Sequence, residues 1–284
     1  MMKRKSAILV LAMAAPAFVM TLAAENAAWA HGPVFSPGPE TIWKGGTEVT
    51  VAAPYSRQSG PGAGRDVLEP SIEIEYGLTE NWQIGIEAPY KFVDTSGADG
   101  GGMGDVVLDT KYQLWKKDLP GAQYKAAAFA RLKLPTASDT GTPRLGSGST
   151  DLAGGIAAGY ESRRWYWFTS AAYSLNNKGG SGLEKGDRQF LNAVGGVRPI
   201  LSEYGEPDTV FMLELNWERS DRDKLNGLSL ANTGGSELFI SPVFWWTYRQ
   251  IAVKGGVQLP VMQDLNGTQP DNDYRGKLEL VYHF

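Results

Sequence analysis

The feature that most constrains this chain is a regular alternation of apolar and polar side chains, clearest in the last eleven residues. Successive side chains of a β-strand point to opposite faces, so this segment predicts a strand with one apolar and one charged side. A helix would mix the two sets on every face. The first parity holds Tyr274, Gly276, Leu278, Leu280, Tyr282 and Phe284, and the second holds Arg275, Lys277, Glu279 and His283.

Comparable segments recur along the chain and predict about 12 strands. Each is close to the roughly 9–11 residues that a tilted strand needs to cross a bilayer. They are Thr47–Ser56, Ser71–Tyr76, Gln83–Tyr90, Val106–Leu114, Tyr124–Leu134, Thr150–Tyr160, Trp165–Tyr173, Gln189–Ile200, Phe211–Glu218, Glu237–Tyr248, Ile251–Val261 and Tyr274–Phe284.

The connections between these segments alternate between short and long. The short ones are Gly77–Asn81, Lys116–Ala122, Glu161–Arg164, Leu201–Pro207 and the point near Arg249. The long ones are Arg57–Glu69, Asp94–Gly104, Pro135–Ser149, Leu175–Arg188, Arg219–Ser236 and Gln263–Asp273. This asymmetry is typical of an all-β, closed antiparallel transmembrane β-barrel with short periplasmic turns and long extracellular loops. A soluble sandwich or lipocalin-like barrel has the same alternation with its apolar side inward.

Aromatic side chains favour the orientation with the apolar parity facing lipid. They cluster at strand ends, where an amphipathic ring suits the boundary between membrane and water. Trp245 and Tyr248 accompany Trp246 at the end of the tenth segment. The predicted membrane-interface residues are Trp82, Tyr90, Tyr112, Trp115, Trp165, Trp167, Trp246, Tyr282 and Phe284.

If the apolar parity meets lipid, the charged parity lines the interior and a predicted solute path. A charge facing hydrocarbon at the midplane costs about 2–4 kcal/mol for Arg or Lys, so these side chains require a wet or mutually paired lumen. An open pore and a lumen closed by acid–base pairs remain alternatives. Basic residues on the fifth strand and acidic residues on the second, third and ninth suggest a field across the lumen. The predicted lumen-lining residues are Glu73, Glu75, Glu87, Asp109, Lys111, Lys125, Arg131, Lys133, Arg198, Glu214, Glu218, Lys254, Lys277 and Glu279.

The first thirty residues predict export. Three basic residues, Lys3 to Lys5, precede an apolar run from Ala7 to Leu22, and Ala28-Trp29-Ala30 follows as a cleavage site. We therefore assign 1–30 to a signal peptide and 47–284 to the barrel. Residues 31–46 contain prolines that exclude a regular helix, and they form either a periplasmic extension or a plug.

Composition argues against most enzymes and cofactors. The chain has no cysteine and only two histidines, so disulfides, thiolate clusters and multi-histidine metal sites have no ligands. We expect no enzymatic activity, no cofactor and no catalytic residues. The amine and imidazole of a mature N-terminal His31 are able to chelate copper or zinc together, although an exposed chain end is the simpler interpretation. A net charge of −4 argues against nucleic acid as a partner.

Two stretches resemble known outer-membrane proteins. His31-Gly32-Pro33, Pro37-Gly38-Pro39-Glu40-Thr41 and Trp43-Lys44-Gly45-Gly46 resemble the opening of the outer-membrane transporter family named for the meta-cleavage pathway of phenol degradation. The end, Leu278 to Phe284, resembles the aromatic terminus by which the barrel-assembly machinery recognises its substrates. The resemblance implies a barrel in the outer membrane of a Gram-negative bacterium that passes small, including aromatic, compounds.

The favoured function is therefore an outer-membrane channel or transporter for small solutes. A periplasmic soluble β-protein that binds a ligand is the alternative, and an outer-membrane hydrolase ranks below it because both histidines lie at the termini. Expected partners are outer-membrane lipid, the barrel-assembly machinery through Phe284, and the solute. The sequence identifies neither the solute nor the oligomeric state.

Overall fold

The computed structural model describes residues 32–60, 64–203 and 205–284. The predicted signal peptide, 1–30, and His31 lie outside the described residues. Within these ranges no helix is long and apolar enough to cross a membrane. The described residues form eighteen strands: β1 Thr47–Ala52, β2 Tyr55–Ser59, β3 Arg65–Leu68, β4 Ser71–Thr79, β5 Trp82–Thr95, β6 Asp99–Met103, β7 Val107–Leu119, β8 Ala122–Lys133, β9 Asp151–Ser162, β10 Trp165–Leu175, β11 Leu183–Glu184, β12 Arg188–Val197, β13 Asp208–Ser220, β14 Lys224–Leu225, β15 Leu228–Ser229, β16 Gly235–Tyr248, β17 Ile251–Leu265 and β18 Asp271–His283.

Fifteen of these strands form one closed antiparallel sheet. β1 pairs with both β4 and β18, and β2 pairs with β3 and β18, so the sheet has no free edge at the ends of the chain. Because β1 continues as β2, β3 as β4, and β6 as β7, the wall consists of twelve strands. This confirms the predicted all-β barrel of about 12 strands. The remaining strands, β11, β14 and β15, form a small separate sheet.

Prolines explain why two of the wall strands are divided. Pro54 lies between β1 and β2, and Pro70 lies between β3 and β4. Proline has no backbone N–H, so it interrupts the ladder of hydrogen bonds. The carbonyls of the two prolines still take part in pairing between strands. That of Pro54 accepts from the N–H of Glu69 at 2.9 Å, and that of Pro70 accepts from the N–H of Tyr90 at 2.7 Å.

The two ends of the barrel differ as predicted, but three long connections are shorter than expected. Two-residue turns join β4 to β5, β7 to β8, β9 to β10 and β16 to β17, and we call this side the short-turn end. At the opposite loop end, expected loops at 57–69, 94–104 and 263–273 are largely strand. Pairing of β2 with β3 and of β5 with β6 extends two of the hairpins, whereas the added residues of β17 pair with β16 and those of β18 pair with β2.

The register places the apolar parity outside and the polar parity inside. On β13, Phe211 and Leu213 are 53% and 47% exposed, whereas the neighbouring Glu214 is 0% exposed. Direct cross-strand partners share a face, and Glu214 lies opposite Val194 and Ser241, which are both buried. The arrangement is the reverse of a soluble barrel, in which the apolar side chains fill the interior.

Candidate functional site

The chain turns into the barrel before its first strand. At the rim, the N–H of Gly45 donates to the carbonyl of Gly77 at 2.8 Å, and the N–H of Gly77 donates to Gly46 at 3.0 Å. Further in, the N–H of Ile42 donates to Oε1 of Gln83 at 2.8 Å. Lys111 Nζ donates to the carbonyl of Glu40 at 2.9 Å. We call residues 32–46 the N-terminal segment, and these contacts place it against the inner wall.

The innermost part of the segment is held by one carboxylate of β13. Glu214 accepts hydrogen bonds from the N–H of Val34 at 2.6 Å, the N–H of Phe35 at 3.2 Å and Oγ of Ser36 at 2.8 Å. Lys277 Nζ donates to the carbonyl of Val34 at 3.2 Å. Hydrogen bonds to a charged acceptor are about twice as strong as neutral ones, so Glu214 is the main polar anchor of the segment.

The segment also packs on an apolar area of the inner wall that sequence reasoning missed. The sequence does indicate this area, because the apolar residues Val210, Met212, Val243 and Trp245 occupy positions of the polar parity in β13 and β16. Trp245, grouped with the interface aromatics in the sequence analysis, is buried inside, and that assignment is wrong. The buried cluster comprises Val34, Tyr166, Phe168, Val194, Val210, Met212, Val243, Trp245, Ala252 and Val281, with Phe35 packed against it.

Gly77→Ala tests the close approach of the segment to β4. A Cβ at this position would lie 2.0 Å from the carbonyl oxygen of Trp43, so the backbone of the segment must move. We expect a loss of about 1–3 kcal/mol in the free energy of unfolding, as for other overpacked sites, measured by urea titration. Gly195→Ala is the matched control, because a Cβ at Gly195 on β12 meets nothing within 4 Å. Equal stability of the two variants would contradict the packing described here.

Apart from Arg198, which follows β12, the predicted lumen-lining residues lie on the inner parity of their strands, and many form ion pairs. Near the short-turn end, Lys254 Nζ lies 3.0 Å from Glu279, and Lys277 Nζ lies 2.5 Å from the other oxygen of the same carboxylate. Beside them, Nδ1 of His283 lies 3.1 Å from Glu48, and its ring stacks on Trp43 with centroids 6.2 Å apart. The charged side chains of this part of the inner wall are therefore paired with one another.

A second charged group lies on β4, β5, β7 and β8. Carboxylate oxygens of Glu73, Glu75 and Asp109 lie within 4.8 Å of one another. Glu75 also accepts from Nε2 of Gln83. Arg131 donates to Glu87 at 2.5 Å, and its side chain is 46% exposed. This wall is acidic with interspersed cations, and it lies on different strands from the buried apolar cluster.

The cations of the fifth wall strand, β8, are neutralised locally. Lys125 Nζ lies 3.5 Å from Glu161, Arg131 contacts Glu87, and Lys133 pairs with the buried Asp151. The predicted separation of opposite charges across the lumen is therefore wrong for β8. Each of its three cations has a carboxylate on the same side of the barrel: Asp151 and Glu161 lie on the neighbouring β9, and Glu87 lies on β5, on the far side of β7.

The two remaining predicted residues lie at opposite ends of the interior. Arg198, in the connection after β12, lies 2.8 Å from Asp208, and its guanidinium carbon lies 5.4 Å from the ring centroid of Tyr166. Glu218 lies near the loop end, where it accepts from Arg188 at 2.6 Å and from Arg275 at 2.8 Å. Ion pairs thus extend over most of the height of the barrel.

Glu40 gives the docking of the N-terminal segment an expected pH dependence. Burial raises the pKa of Glu40 to about 7, and Glu161 adds to the rise, whereas Lys125 and Lys111 oppose it. Docked Glu40 keeps its proton up to about pH 7, but the released side chain loses its proton near its ordinary pKa of 4.5. Docking is therefore unopposed by Glu40 below its ordinary pKa of 4.5 and becomes less favourable as the pH rises from 4.5 to about 7.

We expect conductance of the barrel to increase from about pH 5 to about pH 8, because the segment docks less tightly as the pH rises. Glu40→Gln mimics the protonated side chain and is expected to remove most of this increase. Single-channel recording in planar bilayers measures both effects. An identical pH profile in the two proteins would show that Glu40 does not control docking.

The predicted interface aromatics lie on the outer face, and most gather at the short-turn end. Trp82 is cross-strand partner to Tyr112, and Ile251 to Tyr282, next to the turns. Trp115, Tyr124, Tyr160 and Trp167 form a continuous cluster with neighbouring centroids 4.8–6.4 Å apart. Tyr90 lies instead toward the loop end, tilted against Phe92 at 4.9 Å. A role at the membrane boundary remains a prediction.

The long loop 134–150 at the loop end is fixed by hydrogen bonds to the barrel wall. Asp105 accepts hydrogen bonds from the N–H of Ala137 at 3.0 Å and the N–H of Ser147 at 2.8 Å. The N–H of Gly180 donates to Gly148 at 3.3 Å, which links this loop to the next one. Hydrogen bonds therefore hold the loops of the loop end to the wall and to one another.

Comparisons with known proteins bear on the fold. No protein-family model matches the chain, and no curated protein matches its sequence. The chain is similar to the COG4313 outer membrane channel from Pseudomonas putida F1, with a TM-score of 0.72 and 15% identity over 89% of this chain and 100% of that chain. The β-domain of the Bordetella autotransporter BrkA superposes more loosely, with a TM-score of 0.48 and 12% identity over 84% of this chain and 99% of that chain. At this identity the likeness concerns architecture: the chain has the fold of an outer-membrane β-barrel.

Proposed function

We propose that this protein is an outer-membrane channel for small solutes, with the N-terminal segment as its internal constriction. The observation that carries the proposal is the combination of an apolar outer surface with a charged, hydrogen-bonded interior in one closed barrel. In lipid every backbone polar group must be satisfied within the protein, and a closed sheet meets that requirement. The twelve-stranded size lies between filled barrels of eight strands and wide porins.

The distribution of charge supports a path beside the segment. The segment packs on the apolar cluster of β10, β12, β13 and β16. The partly exposed Glu73, Glu87 and Arg131 lie on other strands, so a polar solute would pass along this wall. In this proposal the two alternatives left by the sequence, an open pore and a paired lumen, combine, because ion pairs line the wall and the bore opens when the N-terminal segment is released.

The soluble periplasmic alternative is disfavoured by the outer surface. Ile72, Ile74, Leu213 and Leu280 are all exposed in the middle of strands. Soluble monomers rarely expose continuous apolar bands of this kind. Carbonate extraction and heat-dependent gel mobility separate the two possibilities, because a membrane barrel remains with the membrane and migrates faster before boiling.

Location and assembly belong to the same proposal. Export by residues 1–30 would deliver the chain to the periplasm, and the barrel-assembly machinery would recognise the C-terminal strand. Phe284 is exposed and packs edge-on against Tyr282, with centroids 4.6 Å apart. Its exposure leaves the terminal ring accessible to a partner. Outer-membrane lipid would cover the apolar band.

The channel proposal is tested with purified mature protein in liposomes and planar bilayers. We expect stepwise currents in salt and faster swelling in small sugars, amino acids and benzoate than in protein-free vesicles. The benzoate arm tests the aromatic solutes implied by the sequence resemblance. Absence of both current and swelling, with folded protein confirmed by gel mobility, would refute the channel. Hydrolysis of phospholipid or peptide by the same preparation would favour the hydrolase alternative.

A further inference from the structure

A polar cavity of about 440 Å³ opens at the loop end. Its floor is formed by inner-parity side chains of β12, β13 and β16, and its sides by the loops 176–187, 221–234 and 266–270. Hydrogen bonds fix these loops to one another: Asn266 Nδ2 donates to the carbonyl of Thr233 at 3.1 Å, and Gln269 Nε2 donates to Gly234 at 2.8 Å. The cavity is therefore a built feature of the rim.

The charges that line the cavity balance. Three cations and three carboxylates face it, and Leu265 is the one large apolar side chain among its described lining residues. The six charged residues are Lys133, Lys185, Arg188, Glu218, Asp223 and Glu237. A solute with a single charge meets equal numbers of attractive and repulsive groups. A solute that carries both charges has a complementary partner for each.

Two of the carboxylates, Glu218 and Glu237, are held in place by residues that do not line the cavity. Arg275 donates to Glu218 at 2.8 Å, lies 3.7 Å from Glu237 and stacks over the ring of Phe239, with its guanidinium carbon 4.4 Å from the centroid. Asn272 Nδ2 donates to Glu237 at 2.6 Å. Fixed partners reduce the entropy lost when a ligand binds, so the carboxylates are preorganised acceptors.

Arg188 and Lys185 have more N–H donors than their present partners use. Arg188 donates to Glu218 at 2.6 Å through one terminal nitrogen, and its side chain is 40% exposed. A guanidinium has five N–H donors. Lys185 lies 2.7 Å from Asp223, and its side chain is 59% exposed. Both cations are able to donate hydrogen bonds to a ligand carboxylate while retaining their present partners.

Resting on the proposed channel function, we propose that this cavity captures small zwitterions, such as α-amino acids, before they enter the lumen. The ligand carboxylate binds Arg188 and Lys185, and the ligand ammonium binds Glu237 and Asp223. The absence of an aromatic ring from the described lining argues against aromatic hydrocarbons as ligands of this site. Balanced charge also predicts weak discrimination between simple cations and anions at the mouth.

The test compares L-alanine with two analogues that each lack one charge, propionate and ethylammonium. Binding is measured on the detergent-purified mature protein by saturation-transfer NMR, and uptake by liposome swelling. We expect alanine to bind, to reduce the salt current in a saturable way and to bind about tenfold more tightly than either analogue, since one charged contact is lost in each.

The double variant Arg188→Gln with Glu237→Gln removes one charge of each sign and keeps the cavity neutral. We expect its alanine affinity to fall about tenfold or more. Lys224→Gln with Glu184→Gln is the matched control, because this pair, 2.7 Å apart, lies on the same rim outside the cavity lining. Its affinity should stay within about twofold of the original. Heat-dependent gel mobility verifies that each barrel is folded.

The possible outcomes separate the two proposals. Equal binding of alanine, propionate and ethylammonium would overturn the zwitterion site, and salt currents in the same protein would leave the channel intact. Absence of current and swelling with selective alanine binding would overturn the channel instead. Loss of alanine binding in the rim control as well as in the cavity variant would also overturn the site.

Discussion

Replacing Glu214 with alanine is expected to release the N-terminal segment from the inner wall and to raise the conductance of the barrel. The carboxylate accepts two backbone N–H groups and one hydroxyl of the segment. Hydrogen bonds to a charged group are worth about 1.5–3 kcal/mol each, so losing two or more weakens docking by about a hundredfold. Single-channel recording should detect a larger conductance or a longer open time.

The chain contains no cysteine, which provides a direct measure of docking. Val34→Cys places one thiol at a buried position of the segment, and its reaction with a water-soluble maleimide requires release. We expect faster labelling when Glu214→Ala is added and a smaller increase with Ser36→Ala, which removes one of the three bonds. Glu73→Ala, an inner carboxylate of β4, should leave the labelling rate unchanged. An unaltered rate in the Glu214 variant would exclude its role as anchor.

Leu213→Arg is expected to destabilise the barrel strongly in a lipid bilayer. Leu213 lies mid-strand on β13 with its side chain on the outer face. An arginine facing lipid at the midplane costs about 2–4 kcal/mol. The same substitution on a water-exposed surface changes stability by within about 0.5 kcal/mol. Urea titration of protein folded into vesicles, followed by tryptophan fluorescence, measures the difference.

Leu228→Arg is the control for this substitution. Leu228 is 76% exposed in the small sheet at the loop end, so the added charge remains in water. We expect its free energy of unfolding to stay close to that of the original protein. Equal effects of the two arginines would mean that the band around Leu213 does not contact hydrocarbon, and the membrane orientation would be wrong.

Local alternation was sufficient to predict most of the barrel wall. The pattern from Tyr274 to Phe284 predicts a strand without reference to any other part of the chain, and the structure places β18 there. Strand ends were less predictable at the loop end. The run of glycines from Gly100 to Gly102 suggested a loop, yet it forms β6, which pairs with β5. A Cβ at Gly100 would lie 3.1 Å from Pro143 and one at Gly102 would lie 2.7 Å from Leu145, so this packing suits glycine.

The candidate site was predictable in its polar residues but not in its arrangement. The parity rule identifies Glu214 as inward, but it gives no partner, since Val34 lies 180 positions away. It also assigned Trp245 to the membrane boundary from its neighbours in sequence. Only the packed barrel shows that the inner parity of β13 and β16 also contributes the buried apolar cluster on which the N-terminal segment packs.

The class of fold follows from the sequence alone, because a period of two and the alternation of short and long connections are local properties of a strand and its turns. How the interior is used depends on the closed barrel. Ion pairs between strands, the entry of residues 32–46 into the bore and the balanced cavity at the rim each join residues far apart in the chain. Their free energy depends on distances that exist only once the sheet has closed.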